Sequence, residues 1–378
     1  MSLPPPTSKL HLRTPPEPGK KSAQTTYLIY FVTGNPGLIE YYRTFLTHLY
    51  GVLSQNTASD RSIEFHVYGR SLSGFEVNSS EIKTYKYRRD PPYGLQDQIR
   101  HAEDDVVELV EDLKDNGAKD VRVILVGHSV GAYISLEIVR RLRAHGVAGE
   151  DFDTRIAGVV GLFPTVVDLA RSESGMKAAV RTPSFFHTYF PTRLTRDKPF
   201  VKNSNIVLFL SVIAGFISML LPLSLLTKLI AWIMSFPQDA AHTTASFVKS
   251  PHGVLQALHM ARDEMFQIDT DIWDEDIWGA AADAPASKHP HPRPTMRFLF
   301  AKKDHWVADE TRDQLIRTRG RFSYGDEVEV EGPESWKPVM QVDETEGWVH
   351  SFCVRHGVPV AERVAGYVRG IVERDLRR

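Results

Sequence analysis

Along the chain, apolar runs of strand length alternate with longer segments whose apolar positions return at helical spacing. The runs 26–32 (TYLIYFV), 63–69 (IEFHVYG), 121–127 (VRVILVG) and 156–164 (IAGVVGLFP) read as strands, and 295–301 (TMRFLFA) resumes the set after a long interval. Between them, residues 94–120 align Leu95, Ile99, Val106, Leu109, Val110 and Leu113 along one helical face, which predicts a helix packed on the sheet. AYISLEIVRRLRAHG (132–146) predicts a second helix, and the stretch from Pro359 to Leu376 a closing one. Strands that alternate with helices predict an α/β fold, a mostly parallel central sheet with helices on both faces. No internal repeat is present.

LVGHSVGAY (125–133) sets Ser129 between Gly127 and Gly131, where a strand gives way to a helix. In a G-x-S-x-G turn the glycines relieve crowding around a sharply turned backbone, and the serine hydroxyl stands clear of the sheet. The five-residue pattern alone fits a plain glycine-flanked turn equally well; the strand before it and the helix after it point to a nucleophile. A nucleophilic hydroxyl needs a base, a group to orient the base, and donors for the oxyanion. In the α/β-hydrolase arrangement the acid and then the base follow the serine along the chain. Asp304, in FLFAKKDHWVADE, lies just beyond an apolar strand, at the sheet edge expected for the serine. His350, in GWVHSFCVRHG, lies in a loop shortly before the last helix. Asp309, His305 and His356 compete for these roles, but His305 adjoins the acid too closely to bridge it to the serine, and His356 reads as a surface residue opening the helix. The expected oxyanion donors are the backbone N–H of Val130 and those of Gly34 and Asn35 in the loop FVTGNPGLIEYY. There Gly34 and Gly37 permit a sharp turn and Pro36 stiffens it, although by itself the loop is also an ordinary Asn-Pro-Gly turn.

With 378 residues the chain could hold two average domains or one α/β core with an inserted cap. At 42% hydrophobic and 24% charged residues, with a formal net charge of −2, it has no polybasic surface, which argues against nucleic acid as a partner. Cys353 is the only cysteine, so no internal disulfide forms and nothing points to an oxidising compartment. No cofactor-binding or metal-binding pattern accompanies the serine. The opening residues, MSLPPPTSKLHLRTPPEPGKK, lack the apolar core of a secretory signal and read as part of a disordered, proline-rich tail over 1–24, facing the cytosol.

The segments VTGNPGLIEYY, LVGHSVGAYI, LFPTVVDLARSESG, KKDHW and VHSFCV together resemble the lipid droplet-associated hydrolase family, in a form expected of a fungus, over most of residues 26–375. The most specific pieces are GNPG followed by Tyr41 and Tyr42, and LFPT at 162–165. The resemblance implies an α/β-hydrolase-fold serine hydrolase with Ser129 as nucleophile, Asp304 as acid and His350 as base. It also implies neutral lipid esters as substrates, a sterol ester or an acylglycerol, and a place on the cytosolic face of the lipid droplet monolayer or the endoplasmic reticulum membrane. The N-terminal tail and the insert DAPASKHPHPRPT (283–295) depart from the family pattern.

Residues 203–236 carry no charge between Lys202 and Lys228 and could reach across a bilayer core. Pro222 interrupts the helical ladder in the middle of the segment. The expectation is two short helices that dip into one leaflet as a hairpin, with Leu220, Leu221 and Pro222 at its tip and Trp232 and Lys228 at the interface. A droplet has a monolayer over neutral lipid and no aqueous far side, which suits a hairpin; a buried cap helix of a soluble enzyme is the alternative. The expected organisation is therefore the tail, a first part of the core over 25–164, a cap over 165–294, and the rest of the core over 295–378. Two other functions stay open: a droplet-anchored scaffold or remodelling protein that keeps the fold with little activity, and a soluble esterase or thioesterase.

Overall fold

The computed structural model describes residues 6–14, 23–57, 62–77, 90–148, 155–174, 220–278, 292–322 and 337–378. Within them, strands β1 (Lys9–Leu12), β2 (Thr25–Val32), β3 (Ile63–Arg70), β4 (Asp120–His128), β5 (Arg155–Leu162), β6 (Thr295–Ala301), β7 (Arg321–Phe322) and β8 (Val339–Asp343) form one sheet. Its order is β1-β3-β2-β4-β5-β6-β8-β7, parallel throughout except for β1, which runs antiparallel to β3. The helices in chain order are α1 (Arg43–Thr57), α2 (Leu95–Asp115), α3 (Val130–Ala148), α4 (Leu223–Met234), α5 (Gln238–Lys249), α6 (Gly253–Gln267), α7 (Glu275–Trp278), α8 (Asp309–Arg319), α9 (Phe352–Arg355) and α10 (Gly357–Leu376).

The central strands are apolar on both faces because helices cover both. Leu28, Tyr30 and Val32 of β2 share one core with Val123 and Leu125 of β4, completed by Ile99 and Val106 of α2 and Ile134 of α3. Tyr27, Ile29 and Phe31 alternate to the other face, where Ile124 and Val126 meet Phe45 and Leu49 of α1 and Val364 and Val368 of α10. Side chains that alternate across a strand thus fill two separate cores with one continuous apolar run.

The strands and helices expected from the pattern form within a few residues of their predicted bounds. Residues 9–12 differ: in place of a disordered stretch of tail, Lys9 to Leu12 pairs with β3 from Arg70 to Val67 and buries Leu10. Four residues flanked by prolines carry too little periodicity to be read locally, and the open edge of β3 supplies the backbone partners. Between β5 and β6 the chain carries α4 to α7, while residues 175–219 and 279–291, with the first arm of the apolar segment and most of the 283–295 insert, lie outside the described residues.

At the amino-terminal edge of the sheet, buried Asp375 from α10 accepts hydrogen bonds from Arg122 (2.7 Å), Arg155 (2.7 Å) and Tyr27 (2.8 Å). Breaking such a buried pair strands the remaining charges. Asp375→Ala should lower stability by about 3 kcal/mol in urea unfolding. An unfolding midpoint equal to that of the parent would show that the network contributes nothing net.

Candidate active site

Four segments converge beyond the carboxyl ends of the strands: the loop after β2, the turn after β4, the loop after β6 and the loop after β8. This is the edge at which open α/β sheets bind ligands. Ser129 occupies the turn between β4 and α3 with φ 54, a left-handed conformation that a serine adopts only under constraint. The constraint comes from its neighbours. A Cβ on Gly131 would fall on the Val32 carbonyl oxygen, and one on Gly127 on the Gly131 carbonyl. The LFPT segment wraps the same turn: Ser129 N–H donates to the Leu162 carbonyl (3.0 Å), and Thr165 N–H donates to the Ser129 carbonyl (3.3 Å).

The structure brings Ser129, His350 and Asp304 together. Nε2 of His350 lies 2.9 Å from Ser129 Oγ, and Nδ1 lies 2.8 Å from Asp304 Oδ2. Because a carboxylate only accepts, the proton sits on Nδ1, and the Nε2 lone pair faces the serine O–H. Asp304 is held in turn by the Trp306 N–H, which donates to Oδ1 at 2.8 Å. This arrangement can remove a proton from the hydroxyl and return it to a leaving group. The competing residues lie elsewhere. His305 turns outward to Glu173 (2.6 Å), Asp309 opens α8 and pairs with Arg312 (3.0 Å), and His356 stands, half-buried, between α9 and α10.

The three expected oxyanion amides differ. Val130 begins α3 and Asn35 follows Gly34 in the loop after β2; neither amide donates to another group among the described residues. The Gly34 amide is already engaged, donating to Tyr42 Oη at 3.2 Å. Gly34 also packs so closely on the turn that a Cβ there would lie 2.8 Å from His128 Nδ1 and 3.1 Å from Ser129 Cβ. The Asn35 side chain reaches into the segment between β5 and β6, where Nδ2 donates to the Ala257 carbonyl (3.1 Å) and to Glu264 Oε1 (2.9 Å).

Two further residues lie beside the site. Buried His128, the variable position before the serine, has Nδ1 2.7 Å from Tyr42 Oη and Nε2 2.9 Å from the His350 carbonyl oxygen. Cys353 adjoins the Tyr42 hydroxyl, and burial pushes its thiol up to about 12, so it stays uncharged. The adjacent Tyr41 and Tyr42 were the available signal, since two tyrosines beside a glycine-rich turn can anchor its backbone.

A family profile described as lipid-droplet associated hydrolase matches residues 25–353. The chain belongs to this family. Lipid droplet-associated hydrolases of Gallus gallus and Dictyostelium discoideum are 31% and 32% identical to it over 149 and 151 residues. These alignments cover 39% and 40% of the chain and 40% and 41% of the relatives, so the matched stretch spans less than half the length of either. A peroxisomal alpha-beta-hydrolase of Saccharomyces cerevisiae superposes with a TM-score of 0.53 at 10% identity, covering 98% of this chain and 86% of that one, which establishes the α/β-hydrolase fold.

The apolar segment of this family member is described from Leu220 onward. Pro222 caps α4, and the chain bends at Leu221 and Pro222, where a helix break was expected. On α4 only Leu226 is buried, whereas Leu225, Leu229, Ile233 and Met234 are exposed, as are Leu220 (66%) and Trp232 (79%). A buried cap helix does not describe this face. Among the described residues no helix is long and apolar enough to cross a membrane.

Burial raises the Glu264 carboxyl to about 8, with Asp263 adding to the rise and the Asn35 amide opposing it. A carboxyl raised on folding favours the folded state while neutral; that contribution is complete below the usual glutamate range and is lost as pH climbs through about 8. Glu264→Gln, neutral at every pH, should therefore lose less stability than the parent between about pH 5 and about pH 9. Urea unfolding of both proteins at the two pH values measures this, and equal losses would place the titration elsewhere.

Proposed function

We propose that the chain is a serine esterase that cleaves carboxylic esters of lipids at the surface of a lipid droplet. The observation that carries this reading is the unbroken hydrogen-bond chain from Ser129 Oγ through His350 to Asp304. Ser129 Oγ attacks the ester carbonyl carbon as its proton passes to His350 Nε2, and Asp304 stabilises the imidazolium. The Val130 and Asn35 amides receive the oxyanion. Collapse of the tetrahedral intermediate breaks the bond to the alcohol, which leaves with the proton from His350 and yields an acyl-serine. Water, deprotonated by the same imidazole, then releases the carboxylic acid and restores Ser129.

The substrate class follows from family membership and from the exposed apolar face of α4, which would set the site beside its substrate. That face would also be the anchor. It presents large side chains with Lys228 as its single charge, so burial in lipid would hold it, not attraction to anionic headgroups.

Labelling with a fluorophosphonate, beside hydrolysis of sterol ester and acylglycerol panels, tests the chemistry. Ser129→Ala and His350→Ala should each abolish labelling and turnover with the fold intact, because members of such a unit do not act additively. Asp304→Asn should cost about 10⁴-fold in rate by favouring the wrong tautomer of His350, and His305→Ala should cost far less. Equal activity in the parent and Ser129→Ala would overturn the enzyme reading in favour of a scaffold.

Location separates from chemistry. Leu225→Arg combined with Trp232→Arg should release a tagged protein from droplets, since a charge deep in hydrocarbon costs roughly 2.5–3.5 kcal/mol on insertion scales. The same variant should still react with the fluorophosphonate. Its retention on droplets in microscopy of lipid-loaded cells would rule out α4 as the anchor.

A further inference from the structure

The hydrogen bonds around His128 have one possible direction. The His350 carbonyl can only accept, so His128 carries its proton on Nε2 and donates it there at 2.9 Å. The lone pair on Nδ1 therefore faces Tyr42, whose O–H must donate at 2.7 Å. A remaining lone pair of Tyr42 Oη accepts the Gly34 N–H at 3.2 Å. Burial, reinforced by the neighbouring His350, holds His128 well below the usual histidine pKa, and burial holds Tyr42 well above the usual tyrosine value. Both stay neutral, so the chain does not change direction with pH.

The two ends of this chain lie in separate segments of the site. One end is the backbone of the loop that offers the Asn35 amide. The other is the backbone of His350, in a turn outside any helix or strand. The Asp304 bond orients the imidazole about its own ring but leaves the peptide that carries it to be placed by something else. The His128 ring is also boxed by contacts: its centroid lies 5.0 Å from that of His350, 6.3 Å from that of Phe163 and 5.1 Å from that of Phe352.

We infer that His128, braced by Tyr42, is a positioning residue whose neutral Nε2–H is the end of a relay that fixes the His350 backbone so that His350 Nε2 meets Ser129 at hydrogen-bonding distance. The inference rests on the proposed esterase chemistry. It differs from general packing in depending on one N–H, that of His128 Nε2. A glutamine amide nitrogen reaches the same position and can donate to the His350 carbonyl; an asparagine amide is too short, although it still fills the Nδ1 side of the ring.

The test compares His128→Asn and His128→Gln in steady-state hydrolysis of a water-soluble nitrophenyl ester, with circular dichroism confirming the fold. His128→Asn should lower kcat by about 10- to 100-fold with KM little changed, the scale expected when a reacting group is misplaced by about 1 Å. His128→Gln should recover most of that loss, and the rate of fluorophosphonate labelling should follow kcat. An asparagine variant with the parent's kcat overturns the inference, as does a glutamine variant as impaired as the asparagine one, whether by misfolding or by lost chemistry. A loss carried by KM alone also overturns it. If the parent itself neither turns over ester nor labels at Ser129, the esterase reading has failed and this inference falls with it; an active parent with unaffected His128 variants removes the relay alone.

Discussion

The structure depends on the close approach of α3 to the end of β2. The Gly131 backbone lies against the Val32 carbonyl with no room for a side-chain carbon, and Gly127 lies against Gly131 in the same way. This contact forces Ser129 into its left-handed conformation and lifts its hydroxyl off the end of β4. It also brings the loop after β2 onto the turn, so that Gly34 meets Ser129 and His128. An oxyanion loop and a nucleophile held by separate scaffolds would have to be aligned by substrate. Here one backbone contact aligns the Ser129 turn with the Gly34–Asn35 loop before any ligand arrives, the preorganisation that the proposed ester chemistry would need.

The parallel sheet supplies the remaining geometry. Successive parallel strands deliver their following loops to the same edge, so residues more than two hundred positions apart, such as Ser129 and His350, need no long connection to meet. The opposite edge carries the charged network of Asp375, Arg122 and Arg155, which ties α10 to β4 and β5. The charged network and the Ser129 site thus lie at the two opposite ends of the same strands.

Much of this was legible in the sequence wherever burial imposes a pattern. β2, β4 and β5 read as strands because both their faces are covered; Asp304 could be picked out because it lies just beyond an apolar strand, and His350 because it lies in a loop shortly before the closing helix. β1 could not be read, since its four residues gain their partners only from β3. β8 and α1 escaped notice although Phe45, Leu46, Leu49 and Leu53 do fall on one helical face. The role of His128 was hidden for another reason: the motif admits any residue there, and its partners Tyr42 and His350 lie 86 and 222 positions away. The tie between Asn35 and Glu264 spans 229 positions and leaves no local trace.

The element that would meet lipid and the elements that would carry out the chemistry are distinct, yet they are joined. Arg355, on α9 just past His350, donates to the Ser235 carbonyl at the end of α4 (2.7 Å), and Lys249 of α5 reaches the Leu221 carbonyl at its start (2.9 Å). From the same side, Thr244 of α5 bonds Tyr41 (2.7 Å), next to the tyrosine that holds Gly34. An exposed apolar helix tethered only by its own packing could tilt freely when it entered a monolayer. These bonds instead connect the two ends of α4 to the segment after His350 and, through α5, to Tyr41; on the α4 side both use main-chain carbonyls, which any sequence there would offer. The side chains of α4 would therefore be free to be chosen for lipid, while its backbone would keep the site oriented toward that surface.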